Sequence, residues 1–305
     1  MIWLIGAKGM LGQEVARALE EARLPFVSSD AEVDITDIDA LEQFASAACA
    51  RAGASAHHKL DYIINCAAYT DVDKAEDEPA RAEALNVTGP AHIARVARAN
   101  GATLIHISTD YVFDGSATEP YREEAAKSPL GVYGKTKSDG EDAVAKEMTK
   151  FYILRTSWLY GLHGCNFVYT MLKNINSKDE VSVVQDQRGT PTNCTTLAAV
   201  ILELVQVAAR GHFVPFGIYH VTDEGGAVSW YDFAKEIQRL GCKHKRISHD
   251  CTLQPCTSAD FPRRAMRPSY SVLDKTKLPE TLHIKLPKWQ KSLEAFIKAK
   301  EFEVK

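Results

Sequence analysis

Metal-type cysteine spacing is missing from this chain: its seven cysteines, at positions 49, 66, 165, 194, 242, 251 and 256, are scattered and odd in number, with no C-x-x-C among them. That argues against a disulfide framework or a zinc module, and reduced thiols in a cytosolic protein are expected. A dominant charge is missing too. Thirty-six Lys and Arg against forty Asp and Glu leave a net charge of -4, so bulk electrostatics make no case for nucleic acid or a membrane surface as a partner. Any anionic ligand must be held locally. The N-terminal apolar run, Ile2-Trp3-Leu4-Ile5, ends at Gly6, which makes it a short buried strand and far too brief for a signal peptide or a membrane span. No targeting segment is read, and a cytoplasmic location is the expectation. Internal repeats, heptads and low-complexity tracts are likewise absent.

What remains is an ordinary globular composition, 45% hydrophobic and 25% charged over 305 residues, enough to bury a sizeable core in one large α/β unit or two joined domains. Short apolar runs alternate with amphipathic stretches, the signature of βαβ units and a parallel sheet. Strands are expected at Ile2 to Ile5, Pro25 to Ser28, Tyr62 to Cys66, Thr103 to Ser108 and Phe151 to Arg155. Helices are expected at Leu11 to Ala22, Ile38 to Ala52, Glu78 to Asn100 and Tyr133 to Met148. After Tyr160 the rhythm loosens, and only Thr195 to Arg210 and Ser229 to Leu240, the latter with Ser229 as N-cap, stand out as helices. The fold class is therefore α/β: a Rossmann-like doubly wound parallel sheet with a smaller C-terminal α/β substrate-binding lobe. Residues 1–160 form the dinucleotide-binding domain, with contributions from about 190–215, and 161–305 mainly the substrate lobe.

Gly6-Ala7-Lys8-Gly9-Met10-Leu11-Gly12 follows the first strand and opens the first helix. Glycines let the backbone turn tightly and approach a pyrophosphate, which then sits at the positive end of the helix among free amides. The spacing is G-x-x-G-x-x-G, a departure from the usual dinucleotide fingerprint. Cofactor type stays open: Asp30 suits a ribose diol and NADH, whereas Lys8 suits the extra phosphate of NADPH. Asn65-Cys66-Ala67-Ala68 ends the third strand in small residues that let a cofactor approach.

Tyr133 and Lys137 lie four residues apart, which places both side chains on one face of a helix. An ammonium close to a phenol favours the phenolate, so Lys137 is expected to lower the Tyr133 pKa towards the working pH. Thr109, at the end of the fourth strand, supplies a hydroxyl for a substrate carbonyl, and Lys137 reaches for the nicotinamide ribose. A dinucleotide supplies the hydride, since no side chain can.

These residues, with Asn65 to Thr70 and Asp71-Val72-Asp73-Lys74-Ala75-Glu76, Ser108 to Gly115, Arg155-Thr156-Ser157-Trp158, Asp186-Gln187, Gly189-Thr190-Pro191-Thr192 and Arg267-Pro268, carry a resemblance to the extended short-chain dehydrogenase/reductases. Within them the chain resembles the dTDP-4-dehydrorhamnose reductase family, over nearly its whole length. The resemblance implies reduction of the 4-keto group of a dTDP-6-deoxy-hexulose to dTDP-L-rhamnose by NADPH or NADH. It makes Tyr133 the proton donor, Lys137 its activator and Thr109 the hydroxyl that tunes the pair. Asp110, Tyr111, Trp158 and Arg267 would contact the dTDP-sugar. Gly9, Met10, Leu11, Asp34, Ile35, Ala68, Tyr69 and Thr70 would join Gly6, Gly12 and Ala67 at the cofactor. Some relatives hold Mg²⁺ with glutamates at a dimer interface, and Glu14 matches one such position. Asn193-Cys194-Thr195-Thr196 carries no carboxylate, so no metal is expected, and the chain is a monomer or a homodimer. Two other readings share the fold. One is a nucleotide-sugar epimerase or dehydratase, against which stands Tyr111 where a dehydratase has an acid. The other is a non-catalytic dinucleotide-binding subunit like that of methionine adenosyltransferase, against which stand Thr109, Tyr133 and Lys137.

Overall fold

The apolar runs assemble, in the computed structural model, into a six-stranded sheet in which every pair of neighbours is parallel. The structure describes residues 1–51, 59–207 and 210–299. From edge to edge the strands are Gly217–His220, Phe151–Thr156, Thr103–Thr109, Tyr62–Asn65, Ile2–Ile5 and Phe26–Ser29. The second strand in sequence starts one residue later than expected. Pro25 lends its carbonyl to the Ile2 N–H but has no N–H of its own for a ladder. Gly217–His220 is a sixth strand that no alternation announces, being four residues long and opening on a glycine. The winding reverses between Ile2–Ile5 and Tyr62–Asn65, so the crevice for a ligand opens at the carboxyl ends of those two strands.

Both faces of the sheet are covered, as a parallel sheet requires. On one face Trp3, Ile5, Ile63, Leu104 and Ile153 pack with Leu41, Ile93 and Val144 of three helices. On the other, Leu4, Ile64, Ile105 and Leu154 meet Leu11, Val15 and Leu19 of the helix Met10–Glu21 and Leu197, Ile201 and Leu204 of the helix Cys194–Val207. The latter helix is expected to run to Arg210, but positions 208 and 209 lie outside the described residues, as does Ala52, the expected end of the helix found at Ile38–Arg51.

One expected helix is broken. Glu78 to Asn100 divides into Pro79–Glu83, a wide π turn Ala84–Thr88 and Gly89–Ala99. Pro90 has no N–H to return to the Asn86 carbonyl, and the fully buried Asn86 side chain turns instead to Tyr69, accepting from its N–H at 2.9 Å and donating to its C=O at 3.1 Å. The π turn thereby pins the loop that follows the third strand.

Beyond Tyr160 a second core gathers Tyr160, Leu172, Ile175, Phe233, Ile237, Leu293 and Phe296. It joins the helices Phe167–Ser177, Trp230–Lys243 and Trp289–Lys298 to a parallel pair of strands, Glu180–Val184 and Thr252–Cys256. Ser229 caps the second of these helices, in a reciprocal box with Asp232. Among the described residues no helix is long and apolar enough to cross a membrane.

Candidate active site

The glycine loop sits against the end of the third strand. Gly6 has φ +77°, and a Cβ there would stand 2.7 Å from the Ala67 nitrogen, closer than any side chain tolerates. A Cβ on Gly12 would lie 2.0 Å from the Gly6 carbonyl oxygen. The helix Met10–Glu21 starts on Gly9 with no side-chain cap and no acidic residue in its first turn, leaving its first amides open to an anion. This cradle fits a dinucleotide pyrophosphate. Around it, Ala67 N–H is held by the Asn65 side chain at 3.0 Å, and Ile35 is buried. Asp34 folds back on Thr36, which holds its carboxyl below the usual range. Leu11 is buried in the core, and Met10 packs against that core while its sulfur accepts from the Asn166 side chain at 3.9 Å. Thr70 is exposed.

Thr109, Tyr133 and Lys137 converge at the carboxyl end of the fourth strand. Tyr133 and Lys137 lie on the helix Val132–Glu147, where a glycine at 140 lets the Asn86 backbone approach so closely that a Cβ would meet its oxygen at 2.0 Å. The Thr109 hydroxyl donates to Asp110 at 3.1 Å and accepts from Tyr111 N–H at 3.2 Å. Burial pushes the Tyr133 phenol up to about 12; the Thr109 hydroxyl pulls it down and the Asp110 carboxylate pushes it up. The expected lowering by Lys137 is thus corrected. The Lys137 ammonium donates to the Ile107 carbonyl at 2.6 Å, and desolvation of the phenol outweighs any charge beside it. A phenol that keeps its proton at neutral pH is the form a proton donor needs before reaction.

Burial also brings Lys137 down to about 8, opposed by Glu141 and Cys66. Of the other groups beside it, Cys66 is pushed up to about 12 by burial and buried His106 is held well below its ordinary value. Lys137 alone in this cluster loses charge between pH 7 and 9, and its cation is present below about 8. Rate profiles should therefore show kcat/KM, which reports the free enzyme, falling about tenfold per pH unit above pH 8. A profile flat to pH 10 would contradict this.

Glu141, one turn beyond Lys137, is a partner that sequence reasoning missed. Its carboxylate binds Arg155 through two hydrogen bonds, 2.9 and 2.7 Å, and accepts from Ser108 at 2.5 Å. Both members of the pair are 1% exposed. Arg155 donates further to the Glu123 carbonyl at 3.1 Å and lies over the Phe113 ring. This network braces the strand ends under Thr109 and Lys137. The spacing 133, 137, 141 was its one available signal.

Asp110, Tyr111, Trp158 and Arg267 are the residues expected to contact the sugar. Asp110 is buried, which raises its carboxyl to about 6 although the Ser271 and Thr109 hydroxyls draw it back. Tyr111 packs edge-on to Tyr133, with ring centroids 5.5 Å apart. Trp158 adopts φ +48° and stacks on Trp230 at 3.5 Å over Gly189, the two half-buried rings packing at the edge of the second core. Arg267, expected to contact the dTDP-sugar, pairs here with Asp73 at 2.9 Å, and its buried Nε has no hydrogen-bond partner among the described residues. Glu14, the one residue matching a metal position, is buried and paired with Arg17 at 2.8 Å.

Residues 1–302 match the family model described as the RmlD substrate binding domain. The dTDP-4-dehydrorhamnose reductase of Aggregatibacter actinomycetemcomitans is 38% identical over 292 residues, covering 95% of this chain and 96% of that one. The structure of a dTDP-4-dehydrorhamnose reductase from Clostridium acetobutylicum aligns with a TM-score of 0.86 at 39% identity, over 97% of this chain and 98% of that chain. The Bacillus anthracis dTDP-4-dehydrorhamnose reductase, solved in complex with NADP, gives a TM-score of 0.86 at 34% identity over 97% of each chain. With a glycine cradle, a Thr-Tyr-Lys cluster and this breadth of similarity, the chain belongs to the RmlD family, together with these dTDP-4-dehydrorhamnose reductases.

Proposed function

We propose that this protein reduces the 4-keto group of dTDP-6-deoxy-L-lyxo-4-hexulose to dTDP-L-rhamnose, using NADPH or NADH. The observation that carries the reading is the meeting of Thr109, Tyr133 and Lys137 at the carboxyl end of the fourth strand, in the same sheet whose first and third strands present the pyrophosphate cradle. A bound reduced nicotinamide supplies hydride chemistry that no side chain has. The chain does the rest. The loop from Gly6 to Gly12 holds the dinucleotide phosphates, with Asp34, Ile35, Ala67, Ala68, Tyr69 and Thr70 along its length. The Thr109 hydroxyl orients the substrate carbonyl, and the Tyr133 phenol gives its proton to that oxygen as negative charge develops there. The Lys137 cation then favours the phenolate left behind. Asp110, Tyr111, Trp158 and Arg267 hold the sugar and its diphosphate. No second acid follows Thr109-Asp110, which supports carbonyl reduction over elimination of water. The proposed setting is the cytoplasm, as a monomer or a homodimer.

Neither cofactor is favoured by the groups beside the ribose position. Asp30 accepts from Lys8 N–H at 2.8 Å, and the exposed Lys8 ammonium pairs with Glu32 at 3.1 Å. Comparable Michaelis constants for NADH and NADPH are expected. The test is a coupled assay: dTDP-glucose, its upstream dehydratase and epimerase, and either reduced cofactor, followed at the nicotinamide absorbance. Absorbance should fall only when this protein is present, one equivalent per sugar. A steady absorbance overturns the proposal.

A further inference from the structure

The segment Asp71-Val72-Asp73-Lys74-Ala75-Glu76, continued by Asp77 and Glu78, has no place in the chemistry above, yet it touches three parts of the site. The helix that bears Tyr133 and Lys137 starts on Gly131, which offers no side-chain cap, and carries no acidic residue in its first turn. Its Val132 N–H would be an orphan of the helix end. Glu76, distant in sequence, accepts from that N–H at 2.8 Å and places a carboxylate at the positive end of the helix. One turn earlier, Asp73 accepts from the Ala265 N–H at 3.2 Å and from Arg267 at 2.9 Å. Asp77 pairs with Arg264. These contacts draw residues 263–267 across from the C-terminal lobe. Glu78 completes the set by accepting from the Tyr69 hydroxyl at 3.1 Å, tying the segment to the cofactor-side loop. Tyr111 lies between, close enough to feel Arg267, Tyr133 and Asp73.

We propose that Asp73 and Glu76 are positioning residues. Glu76 fixes the turn that carries Tyr133, and Asp73 holds Arg267 and its strap over that turn, so the short helix Val72–Ala75 and the turn after it set the distance between proton donor and substrate clamp. This rests on the reading of Tyr133 as proton donor. The two residues act through others and should separate kinetically. Misplacing the phenol affects the chemical step, whereas releasing the strap affects substrate binding.

Glu76→Ala is expected to lower kcat about tenfold or more, with the nucleotide-sugar KM within about twofold of wild type. Glu76→Gln keeps an acceptor for Val132 and should stay within about threefold of the wild-type kcat. Asp73→Asn weakens the charged contact to Arg267 and should raise that KM about fivefold with kcat nearly unchanged. Amide hydrogen exchange adds a readout that needs no substrate: exchange at Val132 should quicken in Glu76→Ala and not in Glu76→Gln. Wild-type kinetics in Glu76→Ala, equal damage from Gln and Ala, or unchanged exchange at Val132 would each overturn the positioning role. If instead the wild-type protein shows no reductase activity, the functional proposal fails, and the exchange result alone decides whether Glu76 holds the helix.

Discussion

Replacing Tyr133 with phenylalanine is expected to lower turnover about 10²- to 10⁴-fold, the usual worth of a positioned general acid, while fold and dinucleotide binding persist. The substitution removes one oxygen. The ring keeps its edge-on packing against Tyr111, and the helix keeps its seat on the π turn through Gly140. What disappears is a proton held at about 12, kept on the phenol at neutral pH and close to the Thr109 hydroxyl. In the reaction that proton moves to a carbonyl oxygen as charge builds, and no neighbour replaces it: Lys137 is committed to the Ile107 carbonyl, and Asp110 is tied to Thr109. Steady-state kinetics alongside circular dichroism and a cofactor-binding titration check this. Turnover within a few-fold of wild type, with intact binding, would move the proton donor elsewhere.

Arg155→Met should produce the largest loss of stability. It leaves the Glu141 carboxylate at 1% exposure with Ser108 and, at 3.6 Å, Lys127 as its remaining partners. Removing one member of a buried pair typically costs about 3–5 kcal/mol, because the other charge stays desolvated and uncompensated. Against a total stability on the order of 5–15 kcal/mol, such a loss is large. Urea unfolding should show a marked drop in midpoint. Adding Glu141→Gln should recover part of it, since the stranded charge is then gone. A single variant as stable as wild type, or a double variant weaker than the sum of the two singles, would contradict the account of this pair.

The elements that the sequence announced are those with local signals. Five strands declared themselves by apolar runs, the cradle by three glycines between a strand and a helix, and the Tyr133–Lys137 pair by a spacing of four. Partners brought together by the fold carry no such mark. Glu141 meets Arg155 across a helix–sheet interface, and Glu76 reaches Val132 from a different loop. The π turn at Ala84–Thr88 follows from Gly89-Pro90 inside a helical pattern, a signal outweighed by the surrounding periodicity. Electrostatics were the least readable. The sign of the Tyr133 shift depends on burial, which no spacing reports, and the pairing of Arg267 with Asp73 joins residues far apart in the chain.

Transfer of label from a reduced cofactor deuterated at its hydride position tests the central claim most directly. Incubation with the dTDP-4-keto-6-deoxyhexulose, followed by NMR of the purified nucleotide sugar, should show deuterium at C4 of the rhamnose and one equivalent of cofactor oxidised. Unlabelled product, or conversion of the sugar without net oxidation of the cofactor, would contradict the account.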